Sequence, residues 1–177
     1  MNDIPLWRIR QAGPDDAEAL ALIGAATFLE AFAGSVDGGG IIEHCRTAHS
    51  AETYRAYFAK GAKAWLAEVK PGDAPVGYAM ICAPELDQAE EGDIELKRIY
   101  ILTRFQGSLM AGTLMRTVVE ASEGCRRLLL GVKDDNLRAL AFYAKHGFEQ
   151  IGSRQFDVGG QTYDDLVLAR SLVPAQA

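Results

Sequence analysis

The chain has 177 residues, a length that suits one domain with a full hydrophobic core. Its formal net charge of −6 argues against nucleic acids and anionic membranes as partners. Cys45, Cys82 and Cys125 are odd in number and scattered, so we expect free thiols in a reducing, cytoplasmic compartment rather than a disulfide framework. No apolar run reaches the length of a membrane-spanning helix.

The first half of the chain is predicted from apolar periodicity and turn residues to hold three strands and two helices. The strands cover 6–12, 64–70 and 76–83, and the helices cover 14–33 and 50–61, with Ser50 as the N-cap of the second. Segment 34–49 contains Gly38, Gly39 and Gly40, so we expect a long loop or a broken helix there.

In the second half an acidic loop, 84–92, leads into a central strand at 93–102. A helix to about Gly124, a buried strand at 127–132, a helix from 134 to 146 and a hairpin of strands 148–156 and 162–172 follow. This order predicts a single α/β (α+β) domain over 1–177, with a mixed sheet of about seven strands and helices on both faces.

The turn after the central strand contains Gln106 and Gly107 and opens a helix. A strand that runs through such a turn directs free backbone amides and the positive end of the helix dipole at one point. The stretch therefore predicts an anion site that suits a phosphate or pyrophosphate. It is not a P-loop, because no Gly-Lys-Ser/Thr follows, and the spacing of Gly107 and Gly112 does not match the dinucleotide fingerprint.

This stretch resembles motif A of the GNAT superfamily of N-acetyltransferases, a strand L-x-R-I-Y-V followed by Q/R-x-x-G-x-G/A and a helix. The strand matches at Leu96, Arg98, Ile99, Tyr100 and Ile101, and the loop at Gln106. The resemblance implies that acetyl-CoA binds along the end of the strand and the loop, at Ile99, Tyr100, Ile101, Gln106, Gly107, Ser108, Leu109, Met110, Ala111 and Gly112.

Leu109 departs from this motif, because it stands where the first motif glycine is expected. Reading the motif from Arg104 places Gly107 at the first glycine and Leu109 at the second, so either register has one mismatch. A Cβ at this position can keep the backbone away from a phosphate, which puts cofactor affinity in question more than fold.

A second match covers Val132–Phe148 and resembles GNAT motif B, V-x-x-x-N-x-x-A-x-x-F-Y-x-K-x-G-F. It is carried by Asn136, Ala139, Phe142, Tyr143, Lys145, Gly147 and Phe148. The resemblance implies that Asn136, Ala139 and Phe142 contact the cofactor, and that Tyr143 protonates the departing thiolate. From the residues alone, Asn136 can also be interpreted as an N-cap, and Tyr143 as a packing residue whose hydroxyl contacts water.

The same resemblance implies a mostly antiparallel, twisted sheet whose two central strands splay apart to admit the pantetheine. It places the general base at Glu95, with Asp93 as the fallback, although Glu95 also reads as a paired strand residue. Lys97 or Arg98 is expected to hold Glu95 in a salt bridge. His44, Cys45 and His49 lack the spacing of a metal site, so no metal is expected.

Several segments are similar to the PaiA-type spermidine/spermine N-acetyltransferases, among them 27–32, 95–101, 130–148 and 162–169. We therefore expect an acetyl-CoA-dependent N-acetyltransferase that acts on a small primary amine, with polyamines first. The acidic residues near the site agree with a cationic acceptor: Glu30, Asp37, Glu43, Glu85, Asp87, Glu90, Glu91 and Asp93. The family resemblance also favours a homodimer through the terminal strands. The alternative, motivated by Leu109, is a catalytically weak GNAT-fold protein that senses acyl-CoA or mediates contacts.

Overall fold

Seven strands form one sheet in the order β1-β2-β3-β4-β5-β7-β6 in the computed structural model, which describes residues 6–173. The strands are β1 Trp7–Ala12, β2 Lys63–Val69, β3 Ala74–Cys82, β4 Ile94–Ile101, β5 Arg127–Lys133, β6 Glu149–Val158 and β7 Gln161–Ser171. All neighbouring pairs are antiparallel except β4 and β5, which run parallel. The mixed, mostly antiparallel sheet predicted from the sequence is confirmed.

Five helices cover the two faces of the sheet: α1 Ala17–Phe32, α2 Gly38–Ala48, α3 Ala51–Ala59, α4 Met110–Ala121 and α5 Leu137–Lys145. Successive residues of a strand point to opposite faces, so β2 divides its side chains between two apolar clusters. Trp65 packs with buried residues of α4, whereas Leu66 packs with buried residues of α1 and α3. None of the described helices is long and apolar enough to cross a membrane.

Segment 34–49 differs from its prediction, because it contains a regular helix, α2, rather than a loop or a broken helix. Asp37 caps the helix by accepting a hydrogen bond from the Gly40 amide at 3.1 Å. Gly40 also packs against the β6–β7 turn, where a Cβ built on it would lie 2.9 Å from the Cα of Gly159. This packing requires a glycine, so it outweighs the low helix propensity of the three-glycine run.

Strands β4 and β5 separate after a very short contact. Only two residue pairs join them, Ile94 with Leu128 and Glu95 with Leu129. On the other side of β4, the register with β3 shifts at Lys97, which is the extra residue of a bulge. The splay expected between the two central strands is therefore confirmed, and it opens immediately after Glu95.

Candidate active site

The turn that leads into α4 presents a row of free backbone amides. The N–H groups of five loop residues have no acceptor within residues 6–173: Gly107, Ser108, Leu109, Ala111 and Gly112. Gly107 has a φ of +82°, a left-handed conformation that glycine adopts without strain. Because unpaired amides at a helix N-terminus attract anions, the loop fits the pyrophosphate predicted from the sequence.

Leu109 does not distort this loop. Its backbone has φ −68° and ψ −5°, which any residue adopts, and its side chain is 81% exposed. The side chain therefore projects from the start of α4 into solvent while the amide stays unpaired. Met110 differs from its neighbours, because its side chain is fully buried in the core and its amide donates to Ser108 Oγ at 3.3 Å.

Two side chains fasten the loop, one to the end of β4 and one to the short turn of helix that follows β4. Gln106 donates its side-chain amide to the Ile101 carbonyl at 3.2 Å, and Ser108 donates its hydroxyl to the Phe105 carbonyl at 2.7 Å. Ile99, Tyr100 and Ile101 lie on β4 beyond its last pair with β5, so their edge faces the splay. The motif A residues thus converge on one opening of the sheet.

Asn136 and Tyr143 enter the site from α5. The Asn136 side-chain oxygen accepts the Ala139 amide at 3.1 Å, so Asn136 is the N-cap of α5. Tyr143 is 9% exposed and packs edge-on against Phe148, with 5.6 Å between the ring centroids. Burial raises the pKa of the Tyr143 hydroxyl, with a smaller contribution from Tyr100, so the phenol stays protonated at neutral pH. This hydroxyl has no hydrogen-bond partner within the described part of the chain.

Glu95 is almost completely buried at the start of the splay. It accepts the Glu85 amide at 2.7 Å and lies 3.4 Å from Lys97 Nζ. The predicted salt bridge of Glu95 is thus confirmed with Lys97, which also binds Glu85 at 2.6 Å. The fallback base, Asp93, is held by Arg127, whose hydrogen bond is the main cause of the lowered pKa of Asp93.

Glu95 and Tyr143 do not contact each other. Glu95 lies near Cys82, which belongs to the apolar cluster of α1 and α3, whereas Tyr143 packs in the cluster of α4 and α5. The splay therefore separates a carboxylate on one face of the sheet from a phenol on the other. If an acceptor and a thioester meet in the splay, the carboxylate can take a proton from the acceptor and the phenol can give one to the departing sulfur.

Arg98 forms a polar network that the sequence does not reveal. Its Nη2 donates to the Ala48 carbonyl at the C-terminus of α2 at 2.7 Å, and its Cζ lies 5.1 Å from the ring centroid of Tyr54. The Tyr54 hydroxyl lies 3.0 Å from His49 Nδ1 and donates to the Tyr78 hydroxyl at 3.4 Å. No local pattern indicates these contacts, because Arg98 and Ala48 are 50 residues apart.

The acidic residues singled out in the sequence are mostly engaged. Glu30 accepts the Thr103 amide at 2.8 Å, and Glu43 lies 3.4 Å from Arg46. In the acidic loop, ion pairs join Glu85 to Lys97, Glu90 to Arg126 and Asp93 to Arg127. Asp87 and Glu91 have no ionic partner within residues 6–173. In the same range, no group of three or more His, Cys, Asp or Glu could hold a metal ion.

Comparison with known proteins gives one family. Residues 40–148 match the model of the acetyltransferase (GNAT) family. An uncharacterized N-acetyltransferase of Mycobacterium tuberculosis is 34% identical over 160 residues, which are 89% of this chain and 99% of the relative. The spermine/spermidine N(1)-acetyltransferase of Bacillus subtilis is 28% identical over 87 residues, which are 46% of this chain and 57% of that enzyme.

The PaiA N-acetyltransferase of Thermoplasma acidophilum, solved in complex with coenzyme A, has a similar structure. It superposes with a TM-score of 0.73 at 18% identity, and the match covers 94% of this chain and 99% of the other. At that identity the likeness shows a shared fold.

Proposed function

Because the chain belongs to the GNAT acetyltransferase family, we propose that it transfers the acetyl group of acetyl-CoA to the primary amine of a small molecule. The observation that carries the proposal is the splay between β4 and β5, flanked by the five unpaired amides of Gly107, Ser108, Leu109, Ala111 and Gly112. A pyrophosphate bound at these amides leaves the splay for a pantetheine, which can pair with the free edge of β4.

Acetyl-CoA supplies the thioester, and the residues of the chain handle the protons. The acceptor nitrogen forms a bond to the acetyl carbon, the carbon–sulfur bond breaks, and the sulfur leaves with the bonding electrons. We assign the proton of the departing sulfur to Tyr143, because its buried phenol is protonated and has no hydrogen-bond partner within residues 6–173. We assign the proton of the amine to Glu95, directly or through a water, because Glu95 forms the last residue pair between β4 and β5, where the splay opens.

The proposal is tested by a thermal shift with acetyl-CoA and CoA, followed by thiol release with a panel of amines. Saturating acetyl-CoA should raise the melting temperature, because it binds the native state alone. Thiol release with at least one primary amine is expected as well. No shift with either ligand, together with no thiol release from any amine, would sink the enzyme proposal.

The second candidate function, an acyl-CoA sensor or interaction module, depends on Leu109. Its unstrained backbone and exposed side chain support a functional loop instead. We expect the parent to bind acetyl-CoA and turn it over. Leu109→Gly should leave the dissociation constant within about threefold and stability within about 1 kcal/mol, because Leu109 is the N-cap of α4, a position where glycine is tolerated. Calorimetric titration measures the constant. A parent that binds nothing and is rescued by Leu109→Gly would favour the degenerate site.

Spermidine is the polyamine to test first, since the resemblance to PaiA-type enzymes and the Bacillus subtilis relative both point to it. The acidic loop supports it less than the sequence suggests, because Glu85, Glu90 and Asp93 are paired with basic side chains. If Asp87 and Glu91 steer a polycation, kcat/KM for spermidine should fall with salt more steeply than for a monoamine. Neutralising Asp87 and Glu91 should then flatten that difference.

We also expect a homodimer in the cytoplasm. Strand β6 lies at one edge of the sheet and leaves a row of backbone groups free for a second copy. The three cysteines are all free, which supports a reducing compartment. Light scattering coupled to gel filtration measures the mass, and a value of one chain at micromolar concentration would contradict the dimer.

A further inference from the structure

Arg98 occupies a position that bears on the acceptor. It lies on β4 three residues after Glu95, where the strand no longer pairs with β5. Its guanidinium points to the face of the sheet that α1 and α3 cover, where it contacts Tyr54 and the end of α2. The opposite face is covered by α4, which follows the loop of unpaired amides, and by α5, which contains Tyr143.

The guanidinium of Arg98 is incompletely satisfied. Nη2 is bound to the Ala48 carbonyl, but Nη1 is buried and has no hydrogen-bond partner among the described residues. No carboxylate of residues 6–173 lies within 4.0 Å of Arg98. A buried donor without a partner is unfavourable, and buried charges in proteins are normally paired. The missing partner of Arg98 is therefore an acceptor of hydrogen bonds, most favourably an anion.

The groups around Arg98 do not supply that anion. Glu95 faces the same side of β4 as Arg98, but it accepts the Glu85 amide at 2.7 Å and lies 3.4 Å from Lys97 Nζ. Asp165 is bound by Arg154 through Nε at 3.2 Å and Nη2 at 3.1 Å. Burial, followed by the charge of Arg98, lowers the pKa of both His44 and His49, so these imidazoles are neutral at pH 7. Among residues 6–173, no acidic side chain therefore forms an ion pair with Arg98.

Aromatic side chains connect Arg98 to the reaction centre. Tyr100 lies two residues after Arg98 on the same side of β4, because the β3 partners of the two residues, Tyr78 and Met80, belong to one apolar cluster. The Tyr100 ring stacks on Tyr78, with 6.1 Å between the ring centroids. A small molecule with its amine at the splay can therefore extend its other end toward Arg98.

We propose that the acceptor is an amine that also carries a carboxylate, and that Arg98 binds this carboxylate through its buried Nη1. The inference rests on the N-acetyltransferase function proposed above and names its substrate class. A carboxylate suits the site because a guanidinium pairs with it through charged, directional hydrogen bonds. A polyamine suits it less, because its second ammonium would face an uncompensated arginine. The structure thus favours an amino acid over spermidine as the acceptor.

The test compares acceptors that differ only at the far end. 4-Aminobutyrate, 4-aminobutanamide and 1,4-diaminobutane carry a carboxylate, an amide and an ammonium, and glycine, β-alanine and 6-aminohexanoate vary the length. Thiol release from acetyl-CoA gives kcat/KM for each. For the best length we expect the carboxylate to exceed its amide by about ten- to a hundredfold, mainly through KM. A parent that prefers the amide or the diamine overturns the inference.

Variants identify the residue. Arg98→Met should reduce the ratio of carboxylate to amide kcat/KM to about one, and Arg98→Lys should keep part of it. Arg55→Met is the matched control, because Arg55 lies on the surface of α3 and pairs with Glu18 of α1. The ratio of carboxylate to amide kcat/KM in this variant should equal that of the parent. If Arg98 is purely structural, Arg98→Met should lower kcat/KM for the carboxylate and for the amide by the same factor. An unchanged ratio would overturn the inference.

A thermal shift by acetyl-CoA shows which Arg98 variants are folded. If Arg98→Met shows no shift, the inference is tested by the ratio of carboxylate to amide kcat/KM in Arg98→Lys and by the order of acceptors in the parent. Failure of the proposed function looks different from failure of this inference, because the first gives no thiol release with any amine, whereas the second gives release without preference for a carboxylate.

Discussion

Tyr143 packs in the core and, in the proposed mechanism, also takes part in the reaction. Its ring packs against Phe148, and its hydroxyl has no hydrogen-bond partner within residues 6–173. A structural tyrosine in a core normally has its hydroxyl bonded. At this scale the sequence gives the residue types of motifs A and B, since both are local patterns. It does not give the contact of Arg98 with Ala48, because only the folded chain brings them together.

Replacing Tyr143 with Phe removes the hydroxyl and keeps the ring. We expect kcat to fall by about ten- to a thousandfold, because the departing thiolate loses its proton donor. The dissociation constant of acetyl-CoA should change little, since the packing stays. Steady-state kinetics and calorimetry measure the two quantities. An unchanged rate across the pH range would return Tyr143 to a packing role.

Helices α2, α3 and α5 show which local signals suffice to predict an element. Ser50 and Asn136 cap α3 and α5 as their sequences indicate, by accepting backbone hydrogen bonds at 3.1 Å. The three glycines at the start of α2 give the opposite signal. That helix forms because Asp37 caps it and because Gly40 meets Gly159 of a distant turn, a contact that no local pattern contains.

Asn136 is a helix cap and a predicted cofactor contact, and two substitutions separate these roles. Asn136→Asp keeps an oxygen for the Ala139 amide, so stability should stay within about 0.5 kcal/mol, whereas Asn136→Ala should lose about 1 kcal/mol. If the side-chain amide also contacts the cofactor, both variants should bind acetyl-CoA at least about threefold more weakly. Normal binding by Asn136→Asp would leave the cap as its single role.

The folding stability of the whole molecule depends on pH through a buried, neutral histidine between α2 and α3. His49 is 5% exposed, and burial, with smaller contributions from Arg98 and His44, lowers its pKa to about 2. The unfolded chain protonates this imidazole near the ordinary value of 6.5. Between these pH values the unfolded state binds the extra proton, so folding stability is full above about pH 6.5 and falls as the pH drops.

Urea unfolding at pH 7.5, 6.5 and 5.5 measures this effect. Below pH 6.5 we expect the free energy of unfolding to fall by up to about 1.4 kcal/mol per pH unit from His49 alone. His49→Asn keeps a hydrogen-bonding side chain near the Tyr54 hydroxyl and cannot titrate, so its slope should be smaller by that amount. His44 and His146, whose pKa values are also lowered, contribute equally to both proteins. Equal slopes would contradict the assignment to His49.

The contact between Gly40 and Gly159 sets the gap between α2 and the sheet edge. Gly40→Ala should lower stability by about 1–3 kcal/mol and change the preferred length of the acceptor, while acetyl-CoA affinity stays the same. Gly38→Ala is the control, since a Cβ there meets nothing within 4 Å. Urea unfolding and the acceptor series measure both effects, and identical behaviour of the two variants would contradict them. A single methyl group added at Gly40 would thus change the length of acceptor that the enzyme accepts, although the substrate does not touch this residue.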